Sequence, residues 1–175
     1  SHLTNSVHSN IPCIKCHTDI TTTLARPCET SKSVECSNCH NEVANKYFAS
    51  GHGQAYLNKT PNAPFCTECH GTHQIKSRYD DTSPTYRGAI PNLCGNCHKK
   101  NGKVPQSAHL KEMNAFFDYA SSVHGKGLNN KGLLASAVCT DCHTTHFNLK
   151  QSDVRSSVNP KNISLTCATC HKSIY

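Results

Sequence analysis

The sequence contains no tryptophan, and aromatic residues make up only 6% of its 175 residues. Hydrophobic residues reach 35%, and the longest apolar stretch, residues 133–139, is interrupted by a serine and alanines. A membrane-spanning helix needs about 20 apolar residues, so the sequence predicts no transmembrane segment. With so few large apolar side chains, the chain could scarcely offset its folding entropy by packing them together. We therefore expect another component to supply the apolar interior.

Acidic residues are also scarce, at 11 against 18 lysines and arginines, which gives a net charge of +7. The basic residues are scattered, with no cluster longer than Lys99 and Lys100 and no alternation with aromatic residues. This pattern does not favour nucleic acid as a partner. No signal peptide is visible, and the start at Ser1 is interpreted as that of a mature or trimmed chain.

Cysteine and histidine are abundant instead, with 13 of each. Twelve of the cysteines fall into six CxxCH motifs, the attachment signature of c-type heme. In chain order, the first to sixth motifs are Cys13–Cys16–His17, Cys36–Cys39–His40, Cys66–Cys69–His70, Cys94–Cys97–His98, Cys139–Cys142–His143 and Cys167–Cys170–His171.

The spacing of this motif suits heme because two cysteines three residues apart can form thioethers with the two vinyl groups of one porphyrin. The histidine that follows then gives its imidazole to the iron. A single CxxC pair could instead be a zinc knuckle or a redox disulfide, but neither explains a histidine after all six pairs. We predict six covalently bound hemes c with their iron. At roughly one negative charge each when oxidised, they would bring the protein close to neutral.

The predicted fold class follows from this cofactor load. With so little chain per heme, we expect mostly irregular loops and a few short α-helices around a stack of hemes, with little β-structure. Heme attachment of this kind takes place outside the cytoplasm, so the protein is expected to be periplasmic or extracellular.

The motifs recur in pairs, which indicates an internal repeat. The interval in sequence from Cys66 to Cys94, which open the third and fourth motifs, equals that from Cys139 to Cys167, which open the fifth and sixth. A shorter version opens the chain. We predict three diheme modules, residues 1–46, 47–105 and 106–175, stacked as one heme-wrapped unit.

The repeated Ser-x-His-Gly segment, the CxxCHxxH sequence and the later CxxCH resemble the doubled-CxxCH multiheme cytochromes of respiratory electron-transfer chains. The resemblance covers nearly the whole chain. It implies electron transfer, and the family includes soluble carriers, subunits of membrane complexes and filament-forming cytochromes.

Seven histidines lie outside the motifs, close to the six that bis-histidine ligation of six hemes would need. Three lie just upstream of a motif pair, and two lie three residues after a motif histidine, where the chain is too short to reach the other face of the same heme. The predicted second ligands are His8, His52, His73, His109, His124 and His146. Ile20 occupies the trailing position in the first module, so its ligand is expected to be His109 or His2. We favour His109, on a helix predicted over residues 106–123, and leave His2 as spare or as a ligand for another copy.

Two further residues remain outside this scheme. Met113 is the only methionine and is interpreted as packing against a heme edge, because at most one heme could use it as a ligand. Cys28 is interpreted as a buried thiol in preference to an intermolecular disulfide. All-histidine ligation predicts low heme potentials.

Electron transfer is the predicted function, and no catalytic residue is assigned. A multiheme reductase would need a heme with an open iron position, often with an altered motif, and all six motifs carry histidine. A soluble periplasmic carrier and a subunit of an extracellular filament remain as alternatives. The expected partners are redox proteins or further copies of the chain.

Overall fold

The computed structural model describes residues 3–19, 33–100, 102–104 and 114–172. Within these ranges the chain forms short helices joined by irregular loops, and no strand occurs in them. The helices are α1 Cys13–Cys16, α2 Asn41–Phe48, α3 Gly51–Leu57, α4 Cys66–His70, α5 Ile90–Gly95, α6 Ala115–Ser121, α7 Val123–Lys131, α8 Cys139–His143 and α9 Ile163–Ala168, with 3-10 turns at Cys36–Asn38 and Arg87–Ala89. The predicted fold class is confirmed.

The polypeptide has almost no hydrophobic core of its own. Among the described residues the buried apolar side chains are Ala44, Leu128, Val138 and Pro91. The accessible surface of the chain is 12514 Å², whereas a compact monomer of this mass exposes roughly 8,400 Å². The chain therefore leaves much more surface exposed than a compact monomer does, as the composition predicts for a chain wrapped around large apolar cofactors.

Serine N-caps begin the two helices that carry upstream histidines. The Ser50 and Ser122 hydroxyls each accept a hydrogen bond, at 3.1 Å, from the backbone N–H of the glycine three residues later. This bond satisfies one of the free N–H groups of the first helical turn. It places His52 of α3 and His124 of α7 at the same position in that turn.

The tight corners between α2 and α3 and between α6 and α7 each require glycine as the third residue of the second helix. A Cβ atom on Gly53 would lie 2.0 Å from the carbonyl oxygen of Tyr47, and one on Gly125 would lie 2.1 Å from that of Tyr119. Both distances are far below van der Waals contact, so only a residue without a side chain allows the backbones to approach this closely. The two corners are equivalent in the repeat and are built in the same way.

Each junction between modules contains the same backbone hydrogen bond. Val7 N–H donates to the carbonyl of Ile75 at 2.8 Å, and Gly51 N–H donates to that of Asn148 at 2.7 Å. In both cases the donor precedes an upstream histidine, and the acceptor lies two residues after a trailing histidine of the next module. The repeat in the sequence is therefore matched by equivalent backbone hydrogen bonds at two places in the structure.

The turn after the third and fifth motifs adopts a backbone conformation that suits glycine. Gly71 has φ 79° and ψ −172°, and Thr144, its equivalent, has φ 64° and ψ 165°. For a residue with a side chain this region costs on the order of 1–3 kcal/mol. The Thr144 hydroxyl oxygen is also buried with no hydrogen-bond partner in the described part of the chain.

Replacing Thr144 with glycine is therefore expected to stabilise the protein by about 1 kcal/mol, because the strain relieved exceeds the entropy that glycine adds to the unfolded chain. Thermal or denaturant unfolding of the heme-loaded protein measures the change. The reciprocal variant Gly71→Thr should lower stability. A neutral or destabilising Thr144→Gly would show that the turn is not strained.

The helix predicted over residues 106–123 lies partly outside the described residues. From residue 114 onward, α6 ends at Ser121 and α7 begins at Val123, because Ser122 adopts an extended conformation and caps the second helix. The longest described helix is α7, with nine residues, and none of the described helices has the length and apolar character needed to cross a membrane.

Candidate heme-binding sites

The CxxCH motifs are built on single helical turns. In four of them the N–H of the motif histidine donates to the carbonyl of the first cysteine at 2.8 to 3.0 Å, and the third motif forms the helix α4. Residues three and four apart lie on one face of such a turn, so the two sulfurs and the imidazole can bind the same group. The equivalent turn at the fifth motif is α8.

Carboxylates fix the start of two motif helices. Glu68 accepts a hydrogen bond from Phe65 N–H, and Asp141 accepts one from Val138 N–H, each at 2.7 Å. Each acidic residue is the one directly before the second cysteine of its motif. A carboxylate in the first turn satisfies a free N–H and interacts favourably with the helix dipole.

All twelve motif cysteines are free thiols, with no disulfide among the described residues. Both sulfurs of each CxxC pair are thus available for bonding to a cofactor.

Each of five motif histidines faces a histidine from outside the motifs. The ring centroids of these pairs are 5.9 to 6.0 Å apart. The pairs are His8–His40, His17–His73, His52–His98, His70–His146 and His124–His171.

The spacing of these pairs fits a metal ion between two imidazoles. A metal–nitrogen distance of about 2.0–2.1 Å on each side, plus the distance from nitrogen to ring centre, gives roughly 6 Å between centroids. The spacing is constant although the angle between ring planes varies from 9° to 45°. The other aromatic pairs among the described residues vary more, with centroids 4.5 to 6.0 Å apart. The described residues therefore fit bis-histidine heme.

The pairs follow a simple rule along the repeat. An upstream histidine, such as His52, pairs with the second motif of its own module. A trailing histidine pairs with the first motif of the preceding module, as His73 does with His17 and His146 does with His70.

This rule changes the interpretation of Ile20. The first module was expected to need a replacement ligand because isoleucine stands at its trailing position. In the structure the trailing histidine His73 faces His17 of the preceding module. The five pairs include the motif histidines His17, His40, His70, His98 and His171. His2 and His109 lie outside the described residues, as do Cys28 and Met113.

Burial favours the neutral form of several of these imidazoles. Desolvation, with a smaller contribution from neighbouring histidines, lowers the pKa of His52, His70 and His98. Desolvation also lowers the pKa of His146, with a contribution from Lys46. Neutral imidazole is the form that donates a lone pair to a metal.

Motifs of neighbouring modules meet at both junctions. Cys36 and Cys66 line one small cavity, and burial is the main cause that raises the pKa of the Cys66 thiol to about 11. The helix α5, which carries Cys94, packs against α8, which begins at Cys139. The second motif of each module thus lies against the first motif of the next. The sequence repeat alone gives no signal for which motifs come into contact.

Comparison with known proteins gives one family. Residues 5–174 match the family model described as outer membrane cytochrome MtrC/MtrF-like, domains II/IV. No curated protein and no solved structure matches the chain. The family match extends over all three pairs of motifs.

Proposed function

Since this chain belongs to the outer membrane cytochrome MtrC/MtrF-like family, domains II/IV, we propose that it conducts electrons through six bis-histidine c-type hemes in extracellular respiration. Membership of the family makes it a multiheme c-type cytochrome that transfers electrons. The number of hemes, their ligands and their arrangement are the parts that we propose. The observation that carries them is the constant spacing of the five histidine pairs.

We number the hemes 1 to 6 in the order of their motifs. We take the five pairs of facing histidines as pairs of heme ligands, and we assign His109 to the remaining heme by the count of histidines, with His2 as spare. The assignments are heme 1, His17 and His73; heme 2, His40 and His8; heme 3, His70 and His146; heme 4, His98 and His52; heme 5, His143 and His109; heme 6, His171 and His124.

Contacts between motifs support a connected path. Cys36 and Cys66 line one cavity and α5 packs against α8, which would bring heme 2 next to heme 3 and heme 4 next to heme 5. Packing of α8 against α9 would bring heme 5 next to heme 6, and Cys69 lies near Cys97, which would bring heme 3 next to heme 4. The trailing histidines His73 and His146 bring heme 1 near heme 3 and heme 3 near heme 5. On this proposal the path is branched, with hemes 3 and 5 as its junctions, and it advances module by module.

When bound, heme iron supplies a site that gains and loses one electron without bond breaking. The protein's own residues then set its properties. Two imidazoles per iron keep the potential low in comparison with methionine ligation, and they leave no open position for a substrate. The chain is therefore proposed as a carrier and not an enzyme. The three modules, 1–46, 47–105 and 106–175, are its repeating units.

The family description also supports a location outside the cytoplasm, in the periplasm, at the outer membrane or beyond it. The proposed partners are redox proteins that deliver and accept electrons. A filament built from copies of the chain remains the alternative to a single carrier. It would form through the ends of the first and third modules.

Intact mass and optical spectra of the secreted protein test this proposal. We expect the mass to correspond to six covalently attached hemes and the oxidised spectrum to be low-spin throughout. Rapid mixing with a low-potential donor should reduce all six, and an added oxidised cytochrome should reoxidise them. Fewer than six attached hemes, or a high-spin heme in the wild-type protein, would contradict the ligand set.

A further inference from the structure

One ion pair links the second module to the fifth motif. The Arg87 guanidinium donates to both carboxylate oxygens of Asp141, at 3.1 and 2.8 Å, and also to the carbonyls of Ser136, at 3.0 Å, and Leu134. Two parallel bonds between a guanidinium and a carboxylate fix relative orientation as well as distance. Arg87 therefore holds both the fifth motif and the segment that leads into it.

The two residues of this pair belong to neighbouring heme sites. Asp141 lies between Cys139 and Cys142, the cysteines of the fifth motif. Arg87 begins the 3-10 turn that runs directly into α5, which carries Cys94 of the fourth motif. The pair thus spans the junction at which α5 packs against α8.

The equivalent junction between the first and second modules is built differently. Glu68 holds the position of Asp141 and caps its motif helix in the same way. Among the described residues no lysine or arginine forms an ion pair with Glu68; the three ion pairs there are Lys76–Asp80, Arg87–Asp141 and Arg155–Asp153. Helix capping alone therefore does not require an arginine at this position.

We propose that Arg87 and Asp141 form a charge pair that sets the potential of heme 5 and fixes its position relative to heme 4. This inference rests on the proposed function, because it requires hemes at the fourth and fifth motifs. Arg87 is a positioning residue for the step in which one electron leaves the ferrous iron of heme 4 and reduces the ferric iron of heme 5. No proton or group is transferred in that step.

The charges predict shifts of opposite sign. Ferric heme carries one more positive charge than ferrous heme, so a nearby negative charge favours the ferric form and lowers the potential, and a positive charge raises it. Removing Arg87 leaves the Asp141 carboxylate uncompensated, whereas removing the carboxylate leaves the guanidinium. Both side chains are partly exposed, at 39% and 31%, so the shifts should shrink as salt screens them.

Four variants test the pair in the heme-loaded protein: Arg87→Gln, Asp141→Asn, the double variant, and Arg87→Lys. Spectroelectrochemistry should show the potential of one heme falling in Arg87→Gln and rising in Asp141→Asn, with the double variant close to wild type. Arg87→Lys keeps the positive charge but cannot form the bidentate hydrogen bonds to Asp141. It should leave the potential near that of wild type while a pair of spin labels on α5 and α8 reports a broader distance distribution. Glu68→Gln is the matched control. It removes a carboxylate from the third motif and should therefore raise the potential of heme 3.

The outcomes are distinct. Shifts of the same sign in Arg87→Gln and Asp141→Asn would mean that both variants only loosen the fold, and would refute the proposal that the pair sets the potential of heme 5. Unchanged potentials in a variant that retains six low-spin hemes would also refute this proposal. If the wild-type protein lacked hemes at the fourth or fifth motif, the proposed function itself would fail, and the masses of proteolytic peptides that contain these motifs show this before any variant is made.

Discussion

Replacing His146 with alanine is expected to convert heme 3 from low-spin to high-spin while all six hemes stay attached. His146 faces His70 at 6.0 Å with nearly parallel rings, although it lies only three residues after the motif histidine of heme 5. Loss of the second imidazole leaves one iron with an open position. Electron paramagnetic resonance of the oxidised protein should show one high-spin signal and five low-spin hemes. His73→Ala should have the same effect on heme 1.

Double variants identify which heme His146 serves. If it ligates heme 3, then His70→Ala combined with His146→Ala perturbs a single heme, and five low-spin hemes remain. Combining His143→Ala with His146→Ala perturbs two hemes, and four remain. The reverse counts would place His146 on heme 5 and refute ligation across the module junction. An entirely low-spin His146→Ala protein would show that this histidine is not a ligand.

Replacing Gly53 with alanine is expected to destabilise the protein by about 1–3 kcal/mol. The added Cβ would lie 2.0 Å from the carbonyl oxygen of Tyr47, and a backbone atom cannot move aside as the end of a flexible side chain can. The first turn of α3 must therefore shift, and His52 shifts with it. We expect a lower thermal midpoint and a fraction of heme 4 in the high-spin state.

Gly51 provides the matched control two residues away in the same helical turn. A Cβ atom there would lie 3.3 Å from the Asn148 carbonyl oxygen, and the equivalent positions in the other modules carry Val7 and Val123. Gly51→Ala should leave the thermal midpoint and the spin state close to those of the wild type. Equal effects of the two substitutions would show that glycine content in this turn, and not the close approach to Tyr47, determines stability.

The fold was largely predictable because the cofactor motifs dominate the sequence. Short helices and loops follow from the low apolar content and the dense spacing of CxxCH motifs. The boundary at Ser122 was not predicted: the apolar residues of 106–123 suggest one helix, but the Ser122 side chain accepts from Gly125 N–H and begins a new one. Side-chain capping at a single residue overrides a periodic pattern there.

The sequence indicated which histidines to consider but not how they pair. His73 and His146 were expected to serve a neighbouring heme, and the structure places each beside the first motif of the preceding module. Which neighbour is met depends on how modules stack, and local spacing carries no information about that. The ion pair of Arg87 could not be predicted from the sequence for the same reason, because its partner Asp141 is 54 residues away.

The contact between His17 and His73 also affects the order in which the protein matures. The second ligand of heme 1, His73, belongs to the module that follows His17 in the chain, and the second ligand of heme 3, His146, likewise belongs to the module that follows His70. Under the proposed ligation, neither iron can complete its coordination until the following module has been exported and folded. An upstream histidine such as His8, in contrast, is already present when its motif emerges. The first two modules would therefore each contain one heme whose ligands they supply alone and one heme whose coordination is completed by the next module.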